Sequence, residues 1–169
     1  MAGIRDAYRN GTVCLTPNPF TYGLLGDKRR LSYWSNPELL AASGLDERSR
    51  DVIDRLIPES HLMSDMDQDK LWSNRKEWVL KPAVLHASRG VLLGAKTSRN
   101  RFSQFIPDET VVQRFIPPTL TETESGELKT DFRLYVYRRR VLGVAARLYR
   151  GQVTNLRTEG GGFAAVELK

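Results

Sequence analysis

The chain carries two hydrophobic rhythms, and the change falls at Glu77. Before it, apolar residues recur at helical intervals between loop signals. Val52, Ile53, Leu56 and Ile57 share one face of a helix that begins near Glu47 and is stopped by Pro58. Asn36 stands before Pro37, an N-cap followed by proline at the first helical position, so Pro37–Leu40 begins a short helix that Ser43-Gly44 ends. Gly26-Asp27-Lys28 opens a further helix through Leu31 and Trp34. Residues 4–9 read as the end of a helix closed by Asn10-Gly11, followed by a short strand over Thr12–Leu15 and a loop over Thr16–Phe20. Residues 64–76, rich in Asp, Lys and Arg and carrying Trp72, read as an exposed helix or loop.

From Glu77 the pattern is that of strands. Trp78–Lys81, Gly90–Gly94 and Thr110–Ile116 are apolar enough to be strands, with a helix over Ser98–Phe105. Thr119–Lys129 is polar and reads as a loop with a hairpin-like turn at Ser125-Gly126. Phe132, Leu134 and Val136 alternate with Arg133, Tyr135 and Tyr137, the signature of a half-exposed strand. Arg138-Arg139-Arg140 is its turn, Val141–Tyr149 its return, and Gly160-Gly161-Gly162 leads into a last apolar piece, Phe163–Leu168.

Composition narrows the class. With 169 residues, 40% of them hydrophobic, the chain can build one domain or two joined subdomains with a real core. Its net charge of +6 favours an anionic partner, but the basic residues are interleaved with acids except at Arg138–Arg140, so no nucleic-acid stripe is expected. The single cysteine, Cys14, excludes an internal disulfide framework and a cysteine metal cluster, and its apolar neighbours predict burial. No apolar run reaches the length of a membrane span and residues 1–6 lack the core of a signal peptide, so a cytoplasmic protein without a membrane partner is expected.

The candidate chemistry clusters after the change of rhythm. Lys81 precedes Pro82, which should end the strand and place the ammonium at its mouth, where open α/β sheets carry ligands. Ala87-Ser88-Arg89-Gly90 supplies small residues and a guanidinium, as a phosphate-binding turn requires; an ordinary β-turn accounts for it equally. Gln113, Phe115 and Ile116 could wall in a nucleobase or simply be core. Asp131 and Arg133 share a strand face, with Arg147 on the neighbouring strand and Asn155 beyond it; a solvated strand face has the same composition. Glu159 precedes three glycines, whose conformational freedom suits close approach to a ligand or another chain, or else a flexible loop.

Taken in order, these residues resemble the ATP-grasp family, and most closely its circularly permuted branch that includes glutathionylspermidine synthetase. Gly26-Asp27-Lys28 resembles that family's lysine-bearing helix start and Val79-Leu80-Lys81-Pro82 its strand lysine. Ala87–Gly94 resembles the loop that covers phosphates, and Val112–Ile116 the adenine-side hinge. Asp131-Phe132-Arg133 with Arg147 resembles the paired strands beneath the triphosphate, and Asn155 with Gly160–Gly162 the closing signature. The covering loop is poorer in glycine than is usual in the family, and Val153 stands where an acidic residue two before Asn155 is common.

The resemblance implies an α+β fold of two small α/β subdomains, with mostly antiparallel sheets enclosing a nucleotide cleft. Residues 1–76 would form an N-terminal helical segment, 77–118 the nucleotide subdomain and 119–169 the C-terminal strands. It implies ATP and Mg2+ as cofactors, with Lys28, Lys81, Ser88, Arg89, Gly90, Gln113, Phe115, Ile116 and Asn155 contacting ATP. Arg133 and Arg147 would act on the transferring phosphate, and Asp131 and Glu159 would be the available metal carboxylates. The implied activity is that of a carboxylate–amine or carboxylate–thiol ligase working through an acyl phosphate, completed by an N-terminal region, a partner chain or self-association. A non-catalytic nucleotide- or protein-binding module is the alternative.

Overall fold

The computed structural model describes residues 2–86 and 88–167; Ala87 of the expected phosphate turn and Leu168 of the last apolar piece lie outside them. The fold is mixed α+β, with two four-stranded sheets that are antiparallel throughout. Five short helices come first: α1 (Ala2–Arg9), α2 (Pro19–Leu25), α3 (Arg30–Trp34), α4 (Pro37–Ala41) and α5 (Glu47–Leu56). Their starts follow from local capping. The side-chain oxygen of Asn18 accepts from Thr21 N, that of Asn36 from Glu38 N and Leu39 N, and that of Asp46 from Ser49 N.

Two expectations for this region fail for local reasons. Thr12–Leu15 is not a strand: the N–H and hydroxyl of Thr12 both donate to Ala7 O at 3.0 Å, closing the end of α1, and the segment pairs with no strand among the described residues. Cys14 is consequently exposed rather than buried. The loop expected over Thr16–Phe20 is cut short because Asn18 and Pro19 start α2. The helix expected from Gly26 begins only at Arg30. Asp27 accepts from Arg29 N at 2.9 Å and pairs with its guanidinium, holding Asp27-Lys28 in the turn before α3.

The first sheet has the order β1 (Ser60–Leu62), β4 (Thr110–Arg114), β2 (Trp78–Pro82), β3 (Leu92–Leu93). Strand β1 carries no alternation signal and was not expected. It forms because Ser60 is buried between two partners, with its N–H donating to Ser35 Oγ and its hydroxyl accepting from Gln113 Nε2. Helix α6 (Gln68–Ser73) follows β1, and α7 (Arg99–Phe102) lies between β3 and β4. Met63, Leu71, Trp78, Leu80, Phe102 and Val112 form the core on one face of the sheet, and partly buried Trp72 packs against it. Segment 64–76, expected to be exposed, thus contributes Leu71 to the centre. The end of β3 passes so close to the main chain near α6 that a Cβ on Gly94 would lie 1.9 Å from Arg75 O.

The second sheet lies wholly within residues 119–165, in the order β5 (Thr119–Thr123), β6 (Gly126–Tyr137), β7 (Arg140–Tyr149), β8 (Gly162–Ala165). The hairpin-like turn expected in Thr119–Lys129 is present, at Glu124-Ser125, but the residues flanking it are strands rather than loop, and their threonines suit a pleated surface. Thr130 Oγ1 donates to Thr121 Oγ1 at 2.7 Å across it. The β6–β7 turn consists of Arg138 and Arg139, both with positive φ as a two-residue hairpin of this twist demands, while Arg140 belongs to β7.

The two sheets face each other across a cleft. Alternation on β2 puts Trp78 and Leu80 towards the core and Val79 and Lys81 towards the cleft. On the other side, Lys129 of β6 and Tyr149 of β7 are cross-strand partners, and both line it.

Candidate functional site

The cleft measures about 450 Å³ and collects residues distant in sequence. Of those expected to contact a nucleotide, Lys28, Lys81, Ser88, Gln113, Phe115 and Ile116 line it. It also takes in Arg114, Lys129, Tyr149, Gln152 and Thr154, which sequence reasoning had not assigned. Four of its lining residues are cationic (Lys28, Lys81, Arg114 and Lys129) and none is acidic. Among the described residues, this is a concave surface with one sign of charge, the arrangement that concentrates anions.

Lys81 is the centre of that field. It is half-buried rather than exposed, because β2 continues through Pro82, which pairs with Thr110, and so holds the lysine inside the sheet's edge. Its ammonium donates to Gln113 Oε1, and Gln113 Nε2 donates in turn to Ser60 Oγ. This chain fixes the glutamine so that its carbonyl oxygen faces the lysine. Burial pushes the Lys81 pKa below its ordinary 10.5, and the charge of Lys28 pushes it further down.

Lys28 reaches the same cleft from the turn before α3. Its main-chain N–H donates to Ala83 O at 3.0 Å, and its ammonium donates to Pro82 O at 3.1 Å, Ala83 O at 3.4 Å and Leu85 O. Lys28 therefore ties the N-terminal helices to the chain immediately after the Lys81 strand. Burial lowers its pKa too, partly offset by Asp27. Two ammonium groups so placed disfavour each other's charge, and an anion between them would remove that penalty.

The remaining cations are held by their neighbours. Arg114 pairs with Glu77 and, at 3.5 Å, with Glu59, and its guanidinium lies 4.8 Å from the centroid of the Trp78 ring. Lys129 donates to Gly151 O. On the apolar side, Val79, Leu93, Phe115 and Ile116 line the wall. The N–H groups of Arg114 and Phe115 are taken by Glu59 O and Glu77 O, both at 2.8 Å, whereas that of Ile116 has no partner among the described residues. A ring lying against this wall would find its free main-chain donor at Ile116.

The other expected site residues lie elsewhere. Ser88 borders the cleft in a left-handed conformation, but Gly90 faces a second hollow, lined also by Pro82, Leu85 and Phe105, and Arg89 is exposed. Arg133 projects, exposed, from the outer part of β6. Arg147 sits opposite Asp131 and forms an ion pair with it, and Thr154 Oγ1 donates to the other carboxylate oxygen at 3.0 Å. Asp131 is thus occupied and stands behind Thr154, outside the cleft lining. Asn155 is exposed and its side-chain oxygen accepts from Arg157 N. Glu159 is exposed in a turn, and no group of three metal-ligating side chains occurs among the described residues.

Two of the three glycines, Gly160 and Gly161, serve the chain itself, while Gly162 has open space around it and a positive φ. A Cβ on Gly160 would lie 2.5 Å from the Ser125 side chain, and one on Gly161 2.5 Å from Leu148 O. Close approach is required, as the sequence implied, but it is to the β5–β6 turn and to β7. Arg114 could have been found as the neighbour of Gln113 and Phe115 in the expected strand; Lys129, placed in an expected loop, and Gln152 and Thr154, in an irregular segment, carried no signal. No described helix is long and apolar enough to cross a membrane. Compared with protein-family models and with curated proteins, the chain finds no match in either.

Proposed function

We propose that the inter-sheet cleft binds the polyphosphate of ATP, as the nucleotide-binding part of an ATP-grasp carboxylate–amine or carboxylate–thiol ligase. The observation that carries this reading is the convergence of Lys28 and Lys81 on one cleft without acidic lining, beside an apolar wall. In the proposed complex, Lys81 neutralises phosphate oxygens and Lys28 adds charge while fixing the chain after β2. Val79, Leu93, Phe115 and Ile116 hold the base, with the Ile116 N–H as its main-chain donor. The expected catalytic pair enters differently: Arg147 is engaged by Asp131, and Arg133 stands exposed farther along β6, outside the residues that line the cleft.

Magnesium does not fit these residues. Its hard oxygen ligands would be carboxylates, and the described lining supplies none, while Asp131 is consumed by Arg147 and Thr154. The same observation favours a second reading, a nucleotide-binding module that does not turn over ATP by itself.

Calorimetric titration with a non-hydrolysable ATP analogue, with and without magnesium, tests the proposal. Binding that changes little on adding magnesium is the expected result. Absence of binding under both conditions would overturn it, and binding strictly dependent on magnesium would contradict the assignment of the charge-neutralising role to the lysines.

A further inference from the structure

The outer half of the β6–β7 ribbon stands apart from everything above and is unaccounted for by nucleotide binding. Strand β5 pairs with β6 only from Gly126 to Thr130, and β8 pairs with β7 only from Ala145 to Leu148. Beyond these points each strand has an edge without a partner among the described residues: 131–137 on β6 and 140–144 on β7. Cross-strand register sorts the side chains into two faces. Phe132, Leu134 and Val136 lie opposite Ala146, Val144 and Val141 on one face, and Arg133, Tyr135 and Tyr137 lie opposite Ala145, Gly143 and Arg140 on the other. The first face is wholly apolar, yet Phe132 and Leu134 are each 57% exposed and Val136 60%. An unblunted edge beside an exposed apolar stripe is a template for strand addition.

We infer that the β6 edge, residues 131–137, is a self-association surface on which a second copy of this chain pairs antiparallel, β6 against β6. The edge is self-complementary. It is bounded by the departure of β5 at Thr130 and by the turn at Arg138, so the register that uses all of it pairs Leu134 with Leu134 of the second copy. In that register Phe132 opposes Val136 and Arg133 opposes Tyr135. The apolar face runs unbroken across the joint, and the polar face gains two arginine–tyrosine pairs. A two-fold axis through Leu134 makes the contact isologous and closed. The β7 edge does not offer this. Tyr135 opposes Gly143 while Val136 opposes Val141, so Leu142 is an extra residue that breaks the alternation, and a bulge of this kind blunts an edge.

Sedimentation of the full chain from low-micromolar to submillimolar concentration is the test, together with three variants at exposed positions. The expected result is a concentration-dependent dimer. Leu134→Lys sets two ammonium groups face to face and should raise the dimer dissociation constant by roughly tenfold or more. Cysteine cross-linking in a Cys14→Ser background reads the register. Leu134→Cys should oxidise to a covalent dimer, because directly opposed strand residues lie within disulfide reach, whereas Leu142→Cys should not. A monomer at every concentration, a dimer indifferent to Leu134→Lys, or equal cross-linking at both positions would each overturn the inference.

Discussion

The two sheets have the same number of strands and the same antiparallel pairing, but they bury their residues differently. In the first, Leu80, Val111 and Val112 have no exposed surface, and helices α6 and α7 supply Leu71 and Phe102 to the covered face. In the second, burial is confined to the end beside the cleft, at Leu128, Thr130, Ala146 and Tyr149; from Phe132 to Leu142 the ribbon stands in solvent. The first sheet is completed by the chain that forms it, whereas the second is completed only at its cleft end. Residues of one sheet therefore govern stability, and those of the other's outer half govern association.

The sharpest way to break this contrast is Leu80→Ala. Deleting a fully buried leucine side chain should cost about 2–5 kcal/mol in urea-induced unfolding. A cost below about 1 kcal/mol would show that the first sheet is not the structural core. Gly94→Ala should follow, at about 1–3 kcal/mol, because the added methyl group meets the Arg75 main chain rather than a movable side chain. Unchanged stability of that variant would mean that the β3 end does not pack as described.

Lys81 supplies a gentler and signed test. Its folded-state pKa is lowered from 10.5, so the unfolded chain binds this proton more tightly than the folded one. Folding therefore carries the full penalty at pH values below the lowered pKa. Stability should rise as pH climbs through the window between the lowered value and 10.5. Comparing chemical unfolding of wild type and Lys81→Met across that window should show a shallower rise in the variant. Parallel pH profiles would contradict the burial of the charge. The smallest effect is expected at Phe132→Ala, within about 0.5 kcal/mol in dilute solution, because the side chain is mostly exposed in the single chain. A loss comparable to that of Leu80→Ala would erase the distinction between the sheets.

How much of this was legible in sequence depended on whether the signal was local. Caps and periodicity placed Glu47–Leu56 at its observed ends and Pro37 at the start of α4. Strand pattern located Trp78–Lys81 and β7 to within a residue and the end of β6 at Tyr137, but β6 begins at Gly126, five residues before the expected Asp131. Strand β1 was invisible, because three residues stabilised by pairing to a strand some 50 positions later leave no local trace. The Thr119–Thr123 strand was mistaken for a loop, because an edge strand of threonine and glutamate is as polar as a loop.

The candidate site divides the same way. Lys81 and Gln113 were marked by strand pattern and meet across adjacent strands. Lys28, Gln152 and Thr154 reach the cleft through turns whose direction only the folded chain determines. Asp131 and Arg147 were seen as a pair, but their mutual ion pair, which removes the carboxylate from metal binding, depends on the exact β6–β7 register. The three glycines drew notice for close approach; two of them, Gly160 and Gly161, make one, and the chain they approach is their own.

The central claim, that Lys81 makes the inter-sheet cleft an anion site for a nucleotide, is tested most directly by titrating folded Lys81→Ala with the ATP analogue beside wild type, after circular dichroism shows the same secondary structure. Loss of a charge-assisted contact worth about 1.5–3 kcal/mol predicts affinity weaker by roughly 10- to 150-fold. Equal affinity in the two folded proteins would mean that Lys81 does not hold the phosphates and that the nucleotide, if it binds, sits somewhere other than this cleft.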